Sequence, residues 1–279
     1  MARILDTIPD FVALAKAAFL EDRATRGYLW DERYRSRHPE VFAVFFDGHG
    51  DADQVPAVTH KLTDVRRVVE PAAPIVTRLI EEVEPAVRDT LGLAGLPEPM
   101  HVLMVGTFST NAAVVRLDGE VAVLHCLEWF GEPDTQRVLV AHEDTHAWHE
   151  TLLGQAPPTD LAWTAFAEGL AIQVSRAVAP DRPEADYFWY GVAGFEEWLP
   201  WCRENQDLVL QRFGKALDED EQEATEMFFG AGFIDDQWRV GFYVADALVA
   251  SLDAGVDELV RLSVEDGREA IRTALDTLR

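Results

Sequence analysis

Two histidines and a glutamate that could bind and use a metal ion lie in the segment His142-Glu143-Asp144-Thr145-His146. On a helix, a spacing of four residues places both imidazoles on one face, one turn apart. Two such nitrogens can bind one zinc ion, and a glutamate beside the first ligand can accept a proton from the attacking water. The segment therefore predicts a Zn2+ site with His142 and His146 as ligands and Glu143 as general base.

The alternative is that these histidines are ordinary core or surface side chains. The preceding run Val138–Ala141 is apolar, so the helix should be partly buried, and buried histidines need polar partners. A metal ion supplies such a partner, which favours the metal-binding interpretation. Asp144 and Thr145 should point away from the ligand face and contact a neighbouring segment of the chain.

A catalytic zinc site needs a third protein ligand. His149 lies on the same helix face, but it is about 4–5 Å beyond His146 along the axis, which is poor geometry for a compact tetrahedron. Glu168 is the better candidate because it stands between apolar neighbours on the next predicted helix. The loop over residues 154–159 would let that helix fold back against the first.

With Glu168 included, the chain resembles the gluzincins, zinc peptidases that carry an HExxH helix and a downstream glutamate on a second helix. The Glu168-Gly-Leu-Ala segment is similar to the aminopeptidase-N-like branch. It is also similar to uncharacterised bacterial families described as predicted zinc-dependent proteases. The segments at 187–191 and 241–243 look most like the latter group, and the resemblance covers roughly residues 101–253.

The resemblance implies a zincin-like fold with His142, His146 and Glu168 as zinc ligands and Glu143 as the base. It also implies that the sheet over residues 101–126 lines the cleft, where an edge strand could hold an extended substrate.

The sequence departs from the aminopeptidase-N-like pattern at the residue that steadies the oxyanion. Those enzymes use a tyrosine three residues before a glycine that opens a helix, and the matching residue here is Trp238. Tyr243, Tyr190 or Arg239 could supply this contact instead, and we take Tyr243 as the predicted catalytic residue.

The composition restricts the partners. A net charge of −26 disfavours nucleic acids and anionic membranes, which are themselves negatively charged. The charge says little about the substrate; the resemblance to zinc peptidases implies a peptide or small amide, and the oligomeric state is not indicated. The N-terminal residues lack the pattern of a secretory signal, and no apolar stretch is long enough to span a membrane, so a cytoplasmic location is expected.

Periodicity predicts an α+β fold that is mainly α. Residues 1–47 and 61–93 read as helical, with a break at Pro71 and Pro74, and residues 48–60 read as a loop. Further helices are predicted between residue 136 and the C-terminus, over about 136–153, 160–178, 195–214, 219–229, 237–253 and 256–278.

A small antiparallel sheet is predicted directly before the HExxH helix. Apolar runs at 112–117 and 120–126 flank Asp118-Gly119, a pair typical of a tight hairpin turn. A single domain is expected, with approximate lobes at 1–155 and 156–279, the second helical and carrying the third ligand.

Three functions fit these residues. The first is a zinc peptidase, the second a metallohydrolase acting on another small molecule, and the third a catalytically inactive protein that binds a metal or a partner. Trp238, at the position of the expected tyrosine, keeps the third alternative open.

Overall fold

The structure is a computed structural model that describes residues 2–217 and 221–279, apart from the side chains at 221 and 222. The chain forms two compact units. The first covers the chain to Pro85 together with Pro97–Ala147, and the second covers Ala86–Leu96 together with Trp148–Arg279. The single domain with a lobe boundary after residue 155 stays a prediction.

Helices and one sheet alternate in the first unit. Its helices are α1 (Ile8–Ala17), α2 (Arg23–Arg33), α3 (Pro39–Phe46), α4 (Val55–His60), α5 (Leu62–Thr90, which continues into the second unit) and α6 (Pro133–Leu153, which does the same). Its strands are β1 (Arg3–Asp6), β2 (Met100–Met104), β3 (Ala112–Leu117) and β4 (Glu120–Cys126).

The sheet is mixed, which corrects the prediction of an antiparallel sheet. Its strand order is β1-β2-β4-β3, and only β3 and β4 are antiparallel. β1 and β4 lie on either side of β2 and both run parallel to it. β4 therefore lies between β2 and its hairpin partner β3. The hairpin signal specifies the β3–β4 pairing alone and carries no information on which hairpin strand lies beside β2. β1 lies in a stretch that the sequence predicts to be helical. It has only four residues, and its apolar and polar residues do not alternate clearly.

The hairpin prediction is confirmed. Asp118 and Gly119 connect β3 to β4 with φ angles of 52° and 84°. Two successive positive φ angles are the conformation of a type I′ turn, which matches the twist of the flanking strands.

A buried aromatic cluster forms the core between α1, α2 and α3, through the edge-to-face contacts of Phe11, Trp30, Tyr34, Phe42 and Phe45. The Tyr34 hydroxyl accepts a hydrogen bond from the Val105 N–H at 2.7 Å and lies 2.9 Å from the Thr7 hydroxyl. Thr7 in turn donates to the Leu103 carbonyl at 2.8 Å. This network attaches α2 to the ends of β1 and β2.

Helix α5 is continuous through Pro71 and Pro74, where the sequence predicts a break. A proline inside a helix costs about 3 kcal/mol because it removes one hydrogen bond and crowds the preceding turn. The helix carries a buried stripe that includes Val69, Val76 and Ile80, and each such side chain contributes about 1.5–3 kcal/mol. Burial along the whole helix therefore outweighs the proline cost.

Residues 55–60 form α4, whereas the sequence predicts a loop over 48–60. Pro56 was interpreted as a loop signal, but it occupies the first turn of α4, where a missing N–H breaks no helical hydrogen bond.

The second unit is helical apart from one short strand pair. Its elements are α7 (Leu161–Val178), α8 (Asp186–Trp189), α9 (Trp198–Glu204), α10 (Gln206–Ala216), α11 (Glu221–Phe229), β5 (Phe233–Ile234), β6 (Gln237–Trp238), α12 (Val240–Ala250), α13 (Val256–Leu259) and α14 (Val264–Leu278).

Three helix predictions in this unit need correction, and one lies partly outside the described residues. The helix predicted over 256–278 is divided into α13, which ends at Leu259, and α14, which begins at Val264. The helix predicted over 195–214 is divided into α9 and α10 at Asn205. The one predicted over 237–253 begins only at Val240, because Gln237 and Trp238 pair with β5. The predicted start of the 219–229 helix lies outside the described residues.

Over the described ranges of the chain, every helix is too short or too polar to cross a lipid bilayer.

Candidate metal centre

Helix α6 carries the HExxH residues and has clear signals at both ends. Pro133 is its first residue, where the fixed φ of proline favours a helix and its missing N–H has no consequence. Gly154 follows the last residue with a φ of 69°, and its N–H donates to the Glu150 carbonyl at 3.0 Å. Glycine adopts this left-handed conformation without strain, so the helix ends there.

The imidazoles of His142 and His146 converge on one point. Their Nε2 atoms are 3.1 Å apart, and their ring centroids are 4.8 Å apart. Two nitrogens bound to one tetrahedral zinc at about 2.0–2.1 Å would be about 3.3 Å apart. The observed separation therefore fits a shared metal ion.

Glu168 completes the group, as the sequence predicts. A carboxylate oxygen of Glu168 and one ring nitrogen each of His142 and His146 all lie within 4.8 Å of one another. His142 is buried and the other two residues are half-buried. Two imidazoles and one carboxylate are a donor set that suits zinc, so these residues fit the predicted ion.

Two contacts within the second unit fix the helix that carries Glu168. Asp160 caps the start of α7 by accepting the Trp163 N–H at 3.0 Å, and Arg268 donates to the same carboxylate. Gly169 lies directly against α12, where an added Cβ would be only 2.3 Å from the Ala245 carbonyl oxygen. The sequence interpretation did not assign Gly169 a role.

Glu143 is half-buried on the turn that carries His142. Burial first, and then the charges of Glu128 and Glu143, raise the pKa of the Cys126 thiol at the end of β4. Two carboxylates thus contribute to the electrostatic surroundings of this thiol.

His149, which the sequence interpretation set aside, is not part of the metal-binding group. Its ring packs against Trp163 and Phe166, with centroid distances of 5.2 and 6.1 Å. It belongs to an aromatic cluster of the second unit.

The residues predicted or considered for the oxyanion have other partners. The Tyr243 hydroxyl donates to Gln206 Oε1 at 2.6 Å, and burial raises the pKa of this tyrosine. The Trp238 indole N–H donates to the Gly230 carbonyl at 2.6 Å, while its own carbonyl accepts from the Trp198 indole at 2.7 Å. Tyr243 therefore stays a prediction as a catalytic residue.

Tyr190 and Arg239, the remaining alternatives, both have left-handed backbones, with φ angles of 50° and 56°. The Arg239 guanidinium lies over the Phe242 ring, 4.0 Å from its centroid. Such conformations cost about 1–3 kcal/mol for residues other than glycine.

A second cluster of buried polar side chains lies on the sheet side of α6, and the sequence interpretation missed it. His101 Nδ1 is 3.2 Å from His125 Nε2 and 3.7 Å from Asp144 Oδ1. The two rings are stacked with an interplanar angle of 17°. A sequence signal existed, because two of only eight histidines fall on predicted strands, but the strand register was unknown.

Burial sets the protonation of this cluster. It lowers the pKa of His101 to about 4, and burial followed by the neighbouring His101 lowers that of His125. Burial, Glu84 and Glu143 raise the pKa of Asp144. Both histidines are therefore neutral near pH 7.

Comparisons with family models, with curated proteins and with solved structures give no match to this chain.

Proposed function

We propose that this protein is a zinc-dependent hydrolase that cleaves peptide bonds. The observation that carries the proposal is the convergence of His142, His146 and Glu168, whose ligand atoms lie within 4.8 Å of one another. Such a set of three protein ligands is typical of catalytic rather than structural zinc sites, because a fourth position stays available.

In this proposal, His142, His146 and Glu168 hold the metal, and Glu143 handles the proton. When bound, zinc supplies Lewis acidity, which makes water a nucleophile near neutral pH. Glu143 takes a proton from the attacking water and delivers it to the leaving amine. Its position next to His142 in the sequence is the reason for assigning it this role.

The peptide bond as substrate rests on the resemblance to gluzincins in the HExxH segment and around Glu168. The same residues would hydrolyse a peptide or another amide, so a cleavage assay must decide between these two substrates.

The first test measures metal content and hydrolysis in the same preparations. Purified protein should contain about one zinc per chain by elemental analysis and should cut members of a broad peptide library. Glu143→Gln should keep the zinc and lose about 100-fold or more of the hydrolysis, because the base is removed while the ligands stay. Glu132→Gln is the matched control, since it neutralises an exposed acid immediately before α6, and it should behave like the wild type.

Three outcomes would contradict the proposal. Protein without zinc after purification and zinc loading would remove the metal-based function altogether. Hydrolysis that survives Glu143→Gln would remove the assigned mechanism. Zinc binding without cleavage of any peptide would favour one of the two remaining functions.

A metal-binding protein without catalysis is the second candidate. Two observations favour it, namely that the Tyr243 hydroxyl and the Trp238 indole N–H are both engaged by other groups of the second unit. The remaining candidate is a metallohydrolase that acts on other small amides. Hydrolysis of non-peptide amides that is lost in Glu143→Gln would distinguish it from a protein that only binds metal.

A further inference from the structure

Three elements of the first unit bring buried polar side chains together behind the metal-binding face of α6. His101 is on β2, His125 on β4 and Asp144 on α6, and each is at most 1% exposed. His101 is opposite Val123 in the parallel pair β2–β4, and His125 follows Val123 by two residues. Both histidines therefore project from the same face of the sheet.

The contact between Asp144 and His101 is direct. At 3.7 Å the two atoms are slightly farther apart than in a hydrogen bond, yet too close for a bridging water, which needs roughly 4.5 Å or more. Neither oxygen of Asp144 has a hydrogen-bond partner among the described residues, and the same is true of His101 Nε2 and His125 Nδ1. Polar atoms buried in this way are usually explained by a functional role or by a small adjustment that completes their bonds.

Asp144 lies on the side of α6 that faces the sheet, opposite to the metal-binding face. Asp144 is two residues from each of His142 and His146, so it points to the opposite side of α6. Ala147, one turn later on that side, packs against Val121 and Val123 of β4. The sheet thus holds α6 by an apolar contact at Ala147 and by a polar contact at Asp144.

A metal site tolerates little movement of its ligands. Ligand side chains must be held within about 0.5 Å and 10–20° of their working geometry. An apolar contact such as that of Ala147 lets a helix rotate or slide slightly, whereas a contact between buried polar groups favours one rotation, because moving them apart leaves each without a polar neighbour. On the sheet side of α6, Asp144 makes such a contact with His101.

We propose that Asp144 is a positioning residue, which through its contact with the His101–His125 pair orients the two histidine ligands of α6 for metal binding. This inference rests on the proposed metal site, but it concerns the residues that hold the site in place rather than the reaction.

The test compares three variants of the full chain. Asp144→Leu removes the polar contact and fills nearly the same space. Asp144→Asn cannot ionise but keeps polar atoms that can contact His101. Thr145→Val is the matched control, because Thr145 is equally buried on α6 but its hydroxyl donates to the Ala141 carbonyl of the same helix rather than to the sheet.

Zinc affinity, measured by competition with a chelator, should fall about 10–100-fold in Asp144→Leu, the range found when a group that orients a ligand is lost. It should stay close to wild type in Asp144→Asn and Thr145→Val. The free energy of unfolding of the metal-free Leu variant should stay at the wild-type value or rise, because apolar replacement of a buried polar group is often neutral or stabilising.

Histidine nitrogen NMR of the metal-free protein supplies a second measurement. The ring resonances of His101 and His125 should shift in Asp144→Leu and stay in place in Thr145→Val. Two outcomes would overturn the positioning role: equal zinc affinity in Asp144→Leu and Thr145→Val, or equal losses in the Leu and Asn variants, which would show that a polar side chain at this position does not orient the ligands.

Failure of the peptidase proposal is recognised separately. If the wild type binds zinc but cleaves no peptide, the affinities of the Asp144 variants still decide the positioning role. A wild type that binds no zinc would overturn both.

Discussion

Gly169 illustrates how one residue decides the geometry of the candidate site. It immediately follows Glu168, and α7 packs directly against Ala245 and Val249 of α12 there. A side chain at this position would push the two helices apart and displace the neighbouring Glu168.

Gly169→Ala should therefore destabilise the protein. The added methyl group would meet the Ala245 carbonyl at 2.3 Å and Val249 Cγ2 at 2.5 Å, and overpacking of this kind costs about 1–3 kcal/mol. Zinc affinity should fall as well. Chemical denaturation and chelator competition measure the two effects.

The matched control is Gly27→Ala on α2, where the added methyl group would have no heavy atom of another described part of the chain within 4 Å. There the substitution should stabilise the protein by about 0.5–1 kcal/mol, because alanine loses less backbone entropy in a helix. Equal effects of the two substitutions would show that α7 and α12 are not closely packed at Gly169.

At the scale of elements, the two central strands of the sheet carry a buried pair of histidines. β2 and β4 place His101 and His125 side by side, and neither side chain reaches solvent. The parallel register of these strands brings the two histidines together on one face of the sheet.

Acid should lower the free energy of unfolding through these histidines. The pKa of His101 is about 4 in the folded protein, against about 6.5 when unfolded, so between these values the unfolded chain binds more protons. His101 thus contributes stability above pH 6.5 that is lost as the pH falls to 4, which amounts to about 3 kcal/mol.

Between pH 7 and pH 4, the free energy of unfolding should fall by about 3 kcal/mol less in His101→Gln than in the wild type. Urea denaturation with a chelator present measures it without a contribution from metal. His60→Gln, at an exposed histidine, should leave the pH dependence unchanged. An unchanged pH dependence in the His101 variant would contradict the burial of a neutral imidazole pair.

At the scale of the whole molecule, charge is the dominant feature. The chain has 50 acidic residues and 24 lysines and arginines, so many carboxylates lack an opposite charge even if every cation is paired. Repulsion among like charges destabilises a compact state.

Salt should therefore stabilise this protein. Raising NaCl from about 20 mM to about 500 mM shortens the screening length from about 20 Å to about 4 Å, which weakens repulsion between distant carboxylates more than it weakens contact ion pairs. The melting temperature should rise by roughly 2–4 °C for each 1 kcal/mol gained. Sucrose at equal osmolality is the uncharged control, and a melting temperature that falls with NaCl would show that ion pairs outweigh the repulsion.

Features that depend on local spacing could be predicted from the sequence. The pairing of His142 with His146 follows from the helical repeat, and the β3–β4 turn follows from the backbone freedom of Asp118 and Gly119. Glu168, rather than His149, lies with the two histidines in a group that could hold a metal ion, and its role as a ligand stays a prediction.

The sequence by itself determined the pairing of His142 with His146, the hairpin and the mainly helical composition, because each arises from contacts within a few residues. Only the tertiary structure decided that β4 runs parallel to β2, that α12 packs against Gly169 and that Asp144 contacts His101. These contacts join residues far apart along the chain, and their register depends on packing that no local pattern encodes. The HExxH segment thus predicts which atoms can bind a metal, whereas the fold decides what holds them in place.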